Sequence, residues 1–253
     1  MEIAGKSAIV TGGGSGLGAQ TARALAKQGA RVTVLDRNID AGTAVAAEID
    51  ALFAACDIAD EESAKAALAL STERHGAPAV LVNCAGIGGA ARIVGREGPM
   101  GLADFERIVR VNLIGTFNML RLAAASMSVA PPDAEGNRGV IISTASVAAF
   151  DGQIGQAAYA ASKGGITAMT LPAARELARF GIRVVTLAPG LFATPLLLEL
   201  PQEVQAGLAA SIPYPARLGA PADFAKLVLG VIDNDYLNGE VIRLDGALRL
   251  PPK

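Results

Sequence analysis

The stretch Thr11-Gly12-Gly13-Gly14-Ser15-Gly16-Leu17-Gly18 lies between an apolar run, Ser7 to Val10, and an alanine-rich stretch, Ala19 to Gln28. Glycines let backbone amides approach a pyrophosphate closely, and the N-terminus of a following helix directs its free N–H groups at the same anion. Such a turn can also be a plain connection between a strand and a helix. Its place directly after the first strand nevertheless favours a nucleotide site.

Seven short apolar runs alternate with longer Ala/Leu-rich stretches along the whole chain. The runs are Ser7 to Val10, Arg31 to Leu35, Leu52 to Ala55, Val80 to Asn83, Val140 to Ser143, Arg183 to Leu187 and Val241 to Leu244. Apolar strands separated by helices predict a parallel sheet covered on both faces, with right-handed crossovers. We find no repeat, linker or domain boundary. Residues 1–253 are therefore predicted to form a single α/β domain, a doubly wound Rossmann fold with a seven-stranded parallel sheet.

The composition narrows the classes of partner. The chain has 253 residues, of which 51% are hydrophobic, and a formal net charge of −2 at pH 7. Its length and apolar content suit one large domain with a buried core. No cluster of Lys and Arg stands out, so nucleic acid is not expected as a partner. No apolar run approaches the length of a bilayer span and the N-terminus has no signal-peptide pattern, so we expect no membrane insertion.

The cysteines and the histidine offer little chemistry. Cys56 and Cys84 end different predicted strands and lack the spacing of metal ligands, which indicates a reduced compartment and no structural metal. We expect a cytoplasmic protein, or one of the mitochondrial matrix if the organism is eukaryotic. His75, the only histidine, precedes Gly76 at the predicted end of a helix, where a solvated position is expected. Acid/base chemistry must therefore use another residue type.

Two segments depart from the alternation of strands and helices. They are Gly86 to Gly101, rich in Gly and Arg, and Ala188 to Pro215, rich in Pro. Both follow the carboxyl ends of predicted strands, where ligands bind in open α/β sheets, so they are candidate substrate loops. Within the second segment, Leu196 to Leu200 and Val204 to Leu208 are apolar at helical spacing. They are interpreted as a substrate lid, with core packing as the alternative.

Two aspartates indicate which dinucleotide binds. Asp36 ends the second strand eighteen residues after Gly18, where an acid hydrogen-bonds a ribose 2′-hydroxyl and repels a 2′-phosphate. This favours NAD over NADP, although the neighbouring Arg37 could accommodate a phosphate. Asp57, after the third strand, is of the right type to hold the adenine amino group. The alternative for Asp36 is a cap at the strand end.

Tyr159 and Lys163 carry the chemistry in this interpretation. Four residues apart on a helix, they share one face, so the ammonium group can lower the pKa of the phenol and produce a general base. Ser146 would hold the substrate oxygen by a hydrogen bond. No His or pair of acids is placed to activate Ser146 as a nucleophile, which argues against a hydrolase. Considered alone, Tyr159 would be interpreted as a core residue and Lys163 as a solvated charge on a helix. The surrounding motifs reverse that interpretation.

With these residues in place, the chain resembles the short-chain dehydrogenase/reductase family over essentially its whole length. The motifs that carry the resemblance are Thr11-Gly12-x-x-x-Gly16-x-Gly18, Asp57, Asn83-Cys84-Ala85-Gly86, Asn112, Ser146, Tyr159-x-x-x-Lys163 and Pro189-Gly190. All of them occur in the expected order and at the expected separation.

The resemblance implies a role for each matched residue. Ser146, Tyr159, Lys163 and Asn112 would be the catalytic residues, with Asn112 breaking local helix pairing and holding a water that links Lys163 to solvent. The substrate would contact Ser146, Gln153, Gln156 and Tyr159. The cofactor NAD would contact Gly12, Ser15, Gly16, Leu17, Gly18, Asp36, Asp57, Ile58, Asn83, Cys84, Ala85, Tyr159, Lys163, Pro189, Phe192 and Thr194. In that set, Thr194 would hydrogen-bond the nicotinamide carboxamide.

Within the family, the chain resembles the group of type 2 3-hydroxyacyl-CoA dehydrogenases, also called 17β-hydroxysteroid dehydrogenases type 10. The stretches that carry this likeness are Arg138 to Tyr159, Ala188 to Leu197 and Asn238 to Gly246. Ser143 stands where Asn is expected in that group, and Arg92 and Arg96 stand where lysines are expected.

The resemblance to this group implies interconversion of a (3S)-3-hydroxyacyl-CoA and a 3-oxoacyl-CoA with NAD, by a homotetramer. Two alternatives remain. One is a hydroxysteroid or other secondary-alcohol dehydrogenase that uses the same catalytic residues. The other is a noncatalytic dinucleotide-binding scaffold subunit.

Overall fold

Strand-forming runs of Val, Ile and Leu build one sheet in the computed structural model, which describes residues 1–199 and 201–252. The strands within these ranges are β1 Ser7–Thr11, β2 Arg31–Asp36, β3 Leu52–Ala55, β4 Pro78–Asn83, β5 Val94–Gly95, β6 Gly98–Pro99, β7 Gly139–Thr144, β8 Ile182–Pro189 and β9 Val241–Leu244. Strands β5 and β6 form a separate antiparallel hairpin. The other seven form one sheet in which every pairing is parallel. The predicted sheet is confirmed.

The order of the strands places a crevice at one edge of the sheet. Across the sheet the order is β3-β2-β1-β4-β7-β8-β9. The chain moves outward from β1 to β3 and then returns to the other side of β1 at β4. At such a switch point the loops after β1 and β4 diverge, and ligands bind between them at the carboxyl ends of the strands. Thr11 and Asn83, which end these two strands, lie side by side in register.

Helices cover both faces of the sheet, as predicted. They are α1 Gly16–Lys27, α2 Ile39–Glu48, α3 Glu61–His75, α4 Leu102–Val109, α5 Gly115–Ser128, α6 Ala157–Leu177, α7 Pro195–Leu198, α8 Gln202–Ala210 and α9 Pro221–Asp233. Residues of α1, α2 and α9 share one apolar cluster with alternate residues of β1, Ala8 and Val10. Residues of α3, α5 and α6 pack on the opposite face with Ile9. This alternation follows from the twofold period of side chains along a strand.

Three local expectations need correction. The first helix begins at Gly16 rather than Ala19, so the last glycines of the loop already belong to its first turn. His75 does end α3, but its Nε2 atom is buried and lacks a hydrogen-bond partner among the described residues. Burial lowers the pKa of this imidazole, with the nearby charges of Arg31 and Arg74 acting in the same direction. The residue as a whole is half-buried, so its ring is solvated on one edge only and not throughout as we expected from the sequence.

The third correction concerns the apolar length of the helices. The continuous helical stretch Leu102–Ser128 has a mean hydropathy of 1.2 over its most apolar window and is long enough to cross a bilayer. Half of that window is buried inside the protein. Its fully buried residues, such as Met119 and Met127, belong to the cluster that packs under the sheet. Core helices of globular proteins have the same length and composition.

Candidate active site

The glycine loop after β1 is a cradle that larger residues would block. Gly12 and Gly16 have φ angles of 63° and 50°, which favour glycine. A Cβ atom on Gly12 would come within 2.8 Å of the backbone of Ala85, and one on Gly18 would overlap the carbonyl oxygen of Gly12. The loop after β1 thus packs tightly against the loop after β4. Backbone amides at the start of α1 remain available to an anion, as a pyrophosphate requires.

Asp36 fastens the glycine loop to the end of β2. Its Oδ2 accepts a hydrogen bond from Gly14 N at 2.9 Å, and its Oδ1 accepts one from Asn38 N at 2.9 Å. The carboxylate therefore stands beside the phosphate loop, at the place expected for a group that contacts the adenosine ribose. Its second hydrogen bond also makes it the strand-end cap that was the alternative. The two roles are compatible because a carboxylate has about four acceptor positions.

Asp57 and Arg37 form the adjoining wall. Asp57 Oδ1 accepts a hydrogen bond from Ala59 N at 3.0 Å, and its Oδ2 lies 3.7 Å from Arg37 Nε. The guanidinium that was considered for a 2′-phosphate is therefore paired with Asp57. Ile58 is buried, and a Cβ atom on Gly115 would lie 2.7 Å from its side chain. This packing holds the turn after β3 against α5.

The segment after β4 closes the far side of the cradle. Asn83 is buried and donates to Ser143 Oγ at 3.4 Å, while its Oδ1 lacks a partner among the described residues. Ala85 N donates to Thr11 Oγ1 at 3.2 Å. Burial raises the pKa of the Cys84 thiol to about 11, so this cysteine stays a neutral packing group at ordinary pH.

Asn112 interrupts the long helix that ends as α5. Residues Arg110–Ile114 form a π-helical turn, and Asn112 is fully buried within it. Its Oδ1 accepts from Ile87 N at 2.8 Å, and its Nδ2 donates to Ile87 O at 2.9 Å and to Ser162 Oγ at 3.0 Å. The predicted break in helix pairing is present, and the side chain ties the loop after β4 to α6. The water that it was expected to hold stays a prediction.

Ser146 and Tyr159 face each other across the start of α6. Ser146 Oγ accepts from Ala148 N at 3.1 Å, which fixes the hydroxyl at the start of a short 3-10 turn. Burial raises the pKa of Tyr159, and a hydrogen bond with Ser146 partly opposes this increase. In the cofactor-free chain Lys163 does not make this phenol more acidic, and a lower pKa produced by Lys163 together with a bound nicotinamide stays a prediction. The desolvation of the phenolate is the larger effect.

Lys163 is held beneath the site by one strong contact. Its Nζ donates to Thr144 O at 2.8 Å and lies 5.8 Å from the centre of the Tyr159 ring, while the residue is only 5% exposed. Burial lowers the pKa of Lys163 to about 8, because a buried ammonium loses its hydration. A Cβ atom on Gly86 would lie 3.5 Å from this ammonium and 3.1 Å from Asn112 Oδ1. The two polar groups therefore flank the same glycine.

The segment after β8 returns across the glycine loop. Pro189 is the last residue of β8, and Thr194 directly precedes α7, with its methyl group 3.6 Å from a Cβ atom placed on Gly16. The ring of Phe192 turns the other way, into the core, where it meets Phe224 edge to face at 6.5 Å. Of the predicted cofactor contacts here, Thr194 lies beside the cradle, whereas Phe192 offers only its backbone.

The two glutamines are placed differently from each other. Gln153 directs its side-chain amide away from the catalytic residues, donating from Nε2 to Pro251 O at 3.1 Å. This does not support the predicted role of the Gln153 side chain in substrate binding. Gln156 accepts from Gln153 N through Oε1 at 3.0 Å and shapes the loop that precedes α6. The loop thus depends on residues near the end of the chain.

The two candidate substrate loops flank the catalytic residues. The loop from residue 86 to 101 contains the exposed hairpin of β5 and β6, and it borders a cavity of about 230 Å³. The lining includes Ala91, Met100, Ile108, Gly155 and Ala158. On the other side, none of the residues of α8 is buried, so the core alternative for this helix is wrong. Leu200, part of the predicted lid, lies outside the described residues.

Sequence reasoning missed three backbone partners of the site. They are Thr144 O, which accepts from Lys163, and the N–H and C=O groups of Ile87, which pair with Asn112. Ser162 was also missed, although its hydroxyl bridges Asn112 and Tyr159 O. Nearly all residue types have the same backbone N–H and C=O groups, so the sequence does not show which of these groups will bind a side chain. Ser162 adjoins Lys163 in the sequence, and that adjacency was the only available signal.

The chain is similar to proteins of known activity over almost its full length. The profile of the family described as short chain dehydrogenase matches residues 6–205. The 3-hydroxyacyl-CoA dehydrogenases type-2 of Bos taurus and Rattus norvegicus are 52% and 53% identical to it over 254 residues, which span 99% of this chain and 97% of each relative. The crystal structure of 3-hydroxyacyl-CoA dehydrogenase type-2 from Mycobacterium avium superposes with a TM-score of 0.95 at 43% identity, covering 98% of both chains.

Proposed function

The chain belongs to the short-chain dehydrogenase family, an oxidoreductase family whose members use a nicotinamide dinucleotide, and we propose that it interconverts (3S)-3-hydroxyacyl-CoA and 3-oxoacyl-CoA with NAD. The observation that carries the chemistry is the meeting of Ser146, Tyr159 and Lys163 beside the glycine cradle. The substrate class is supported by identity of about one residue in two to relatives that carry this name.

The residues of the cradle fit a dinucleotide, and those at its edge favour NAD. Side chains at Gly12 and Gly18 would collide with the backbone of Ala85 and of Gly12, so glycine is needed to keep the loop in the compact form that suits a pyrophosphate. Asp36 already holds Gly14 N and would repel a 2′-phosphate at the same place. Arg37, a neighbouring cation that could reverse this preference, lies 3.7 Å from the Asp57 carboxylate.

In this proposal Tyr159 moves the proton and Ser146 holds the oxygen. The bound cofactor supplies the hydride acceptor for oxidation and its positive nicotinamide ring. Tyr159 takes the hydroxyl proton as the hydride leaves carbon, and Ser146 donates its O–H to the developing alkoxide. Ser146 is oriented for this because its oxygen already accepts from Ala148 N. In the reverse direction Tyr159 donates the proton.

Lys163 and Asn112 prepare the site for that proton transfer. Lys163 is buried with one donor used by Thr144 O, which leaves two donors for the hydroxyls of a ribose and for the phenol edge. Since burial alone raises the pKa of Tyr159, the site acquires a usable base only when positive charge from Lys163 and the bound nicotinamide acts together. Asn112 keeps the loop after β4 in place beside this ammonium.

The acyl chain and the CoA portion have candidate places. The cavity of about 230 Å³ beside Ala158 has a mixed lining: Met100 and Ile108 give it an apolar part that suits an acyl chain, and the ion pair of Asp104 and Arg107 gives it a polar part. Arg92 and Arg96 are exposed on the adjoining loop, and Arg107 lines the cavity. These cations suit the phosphates of a CoA ester better than an uncharged steroid.

We also propose a homotetramer located in the cytoplasm, or in the mitochondrial matrix if the organism is eukaryotic. Exposed apolar side chains on the long helix, Ile114 and Phe117 at 49% and 50% exposure, support an interface there. The unpaired thiols of Cys56 and Cys84 support a reduced compartment. Sedimentation of the purified protein tests the assembly, and a dimer or monomer at micromolar concentration would contradict it.

Turnover of matched substrates tests the proposed function. We expect purified protein to reduce NAD with 3-hydroxybutyryl-CoA, and to do so more efficiently than with NADP or with a hydroxysteroid. Tyr159→Phe should lower kcat by at least about a thousandfold because it removes the proton acceptor, while the affinity for NADH is retained. Tyr236→Phe, at a tyrosine that is 99% exposed, is the matched control. Turnover of the steroid alone would support the second alternative, and an unchanged rate in Tyr159→Phe would contradict the catalytic account.

A further inference from the structure

The loop of residues 150–156 connects the two catalytic groups of the chain. It follows the short turn that Ser146 begins and leads into α6, where Tyr159 lies in the first turn. Few contacts within the loop fix its path: Gln153 N donates to the side chain of Gln156, and Gln156 N donates to Gln153 O. Its remaining hydrogen bonds reach other parts of the chain.

Arg243, in the edge strand β9, is the centre of those outside contacts. One terminal nitrogen donates to Asp151 Oδ2 in the loop at 2.5 Å and to Leu248 O at 3.0 Å, and Nε donates to Asp245 Oδ2 at 2.7 Å. The guanidinium also lies over the ring of Phe150, 5.1 Å from its centre. The side chains of Arg243 and Asp151 are each 21% exposed, so water screens this pair only in part.

The tail that follows Arg243 holds the same loop at two more points. Pro251 O accepts from Gln153 Nε2 at 3.1 Å, and Pro252 O accepts from Ile154 N at 3.0 Å. Because Arg243 also binds Leu248 O, one guanidinium sets the path of the tail and anchors the loop. On the opposite side, Gly155 O accepts from Ala91 N at 2.8 Å. The loop is therefore clamped between the tail and the candidate substrate loop that follows β4.

We propose that Arg243 is a positioning residue for the alcohol substrate, acting through Asp151 on the loop between Ser146 and Tyr159. The inference rests on the proposed function only in requiring a secondary-alcohol substrate at these two groups. Arg243 does not contact the reacting atoms. It holds the loop in the conformation that forms one wall of the substrate cavity, which Gly155 and Ala158 line.

The charges around Arg243 support a specific role for Asp151. The hydrogen bond from Arg243 lowers the pKa of Asp151, so this carboxylate is ionised at all pH values relevant to catalysis. Asp245 is shared between Arg243 and Arg249, which donates to its Oδ2 at 3.2 Å. No hydrogen bond or ion pair joins Arg249 to the described residues of the loop. Arg249 also donates to Leu248 O at 2.7 Å, and its charge helps to lower the pKa of Asp151. Removing Arg249 therefore tests the loss of a nearby charge and of contacts to Asp245 and the tail, while the hydrogen bond from Arg243 to the loop remains.

The test compares four single variants and one double variant by steady-state kinetics with a secondary alcohol that the wild type oxidises. Arg243→Met and Asp151→Asn should each raise KM for the alcohol about tenfold, as expected for the loss of a partly buried charge-assisted bond, and lower kcat by less than about threefold. The affinity for NADH, measured by its fluorescence, should not change. Asp151→Glu should restore most of the loss, and Arg249→Gln should match the wild type. The double variant Arg243→Met/Asp151→Asn should be no worse than either single one.

Two results would overturn the proposal. One is a KM for the alcohol within about twofold of the wild type in Asp151→Asn. This substitution keeps the shape of the side chain and is expected to leave the fold intact. It therefore decides the question even if Arg243→Met fails to fold. The other is a parallel loss of NADH affinity and alcohol affinity, which would indicate a general structural role. The result is separable from the proposed function. A protein that oxidises another secondary alcohol but no hydroxyacyl-CoA would contradict the substrate assignment and still report on Arg243.

Discussion

Replacing Lys163 by Met should make the stability of the cofactor-free protein less dependent on pH. Burial lowers the pKa of Lys163 from its ordinary 10.5 to about 8, so between these values the unfolded chain binds a proton that the folded chain does not. Stability of the wild type therefore rises with pH across this window. The folded protein carries the charge below pH 8 at a cost in free energy, and the Met variant does not carry it.

The structure sets the size of the effect. A difference of one pKa unit corresponds to about 1.4 kcal/mol. The decrease in the pKa of Lys163 from 10.5 to about 8 on folding therefore lowers the free energy of unfolding by about 3 kcal/mol near pH 7. By about pH 9.5 the lysine is neutral in the folded state, and about 1 kcal/mol remains. The hydrogen bond to Thr144 O also changes when Lys163 loses its proton, but that change is already contained in the folded-state pKa and is not added again. The variant should therefore lose about 2 kcal/mol of stability relative to the wild type between pH 7 and 9.5.

Urea unfolding, followed by far-UV circular dichroism at fixed protomer concentration and ionic strength, measures this difference. Groups present in both proteins, including Tyr159, cancel to first order in the comparison. Lys27→Met, at an exposed lysine, controls for the general loss of a positive charge. If the difference between the wild type and Lys163→Met were constant from pH 7 to 9.5, the reasoning from the buried charge would be refuted.

Three further substitutions test other parts of the site. Asp36→Ala should reduce the ratio of kcat/KM for NAD to that for NADP by at least about tenfold, because the repulsion of a 2′-phosphate is removed; an unchanged ratio in the two-cofactor assay would contradict this. Asn112→Leu leaves the N–H and C=O groups of Ile87 unpaired, so the free energy of unfolding in urea should fall by about 3 kcal/mol, and a loss below about 1 kcal/mol would show that water replaces the amide. Gly18→Ala places a methyl group against the glycine loop and should abolish NADH binding in a fluorescence titration, whereas Gly164→Ala, with open space around it, should bind NADH as the wild type does.

The elements that sequence predicted well are those with local causes. The seven apolar runs formed strands because their side chains alternate between two apolar clusters, and the glycine loop followed β1 because its backbone angles require glycine. The position of Asp36 followed from its spacing after the glycine loop, whereas the role of Asn112 was implied only by the family resemblance. Each of these patterns spans only a few residues, so the sequence shows it directly.

The features that sequence missed depend on contacts far along the chain. Phe192 turns into the core because Phe224 and the small Gly219 leave room for its ring there. Gln153 directs its side-chain amide to the C-terminal tail because Pro251 O, 98 residues later, accepts its amide hydrogen. The increase in the pKa of Tyr159 likewise comes from burial by the surrounding residues rather than from the nearby charge. Spacing alone contains none of this information.

The wide turn at Arg110–Ile114 has a consequence for how the long helix uses its length. Ile108 and Met127 are both buried, yet in a uniform α-helix nineteen residues advance the side chain about 100° beyond five full turns. The π-helical turn contains an extra residue, so the side chains after it are rotated back about the helix axis. The buried face after the turn therefore lines up more closely with the buried face before it. The turn that carries Asn112 therefore also realigns the two parts of the helix, so that Ile108 before it and Met127 after it can both be buried.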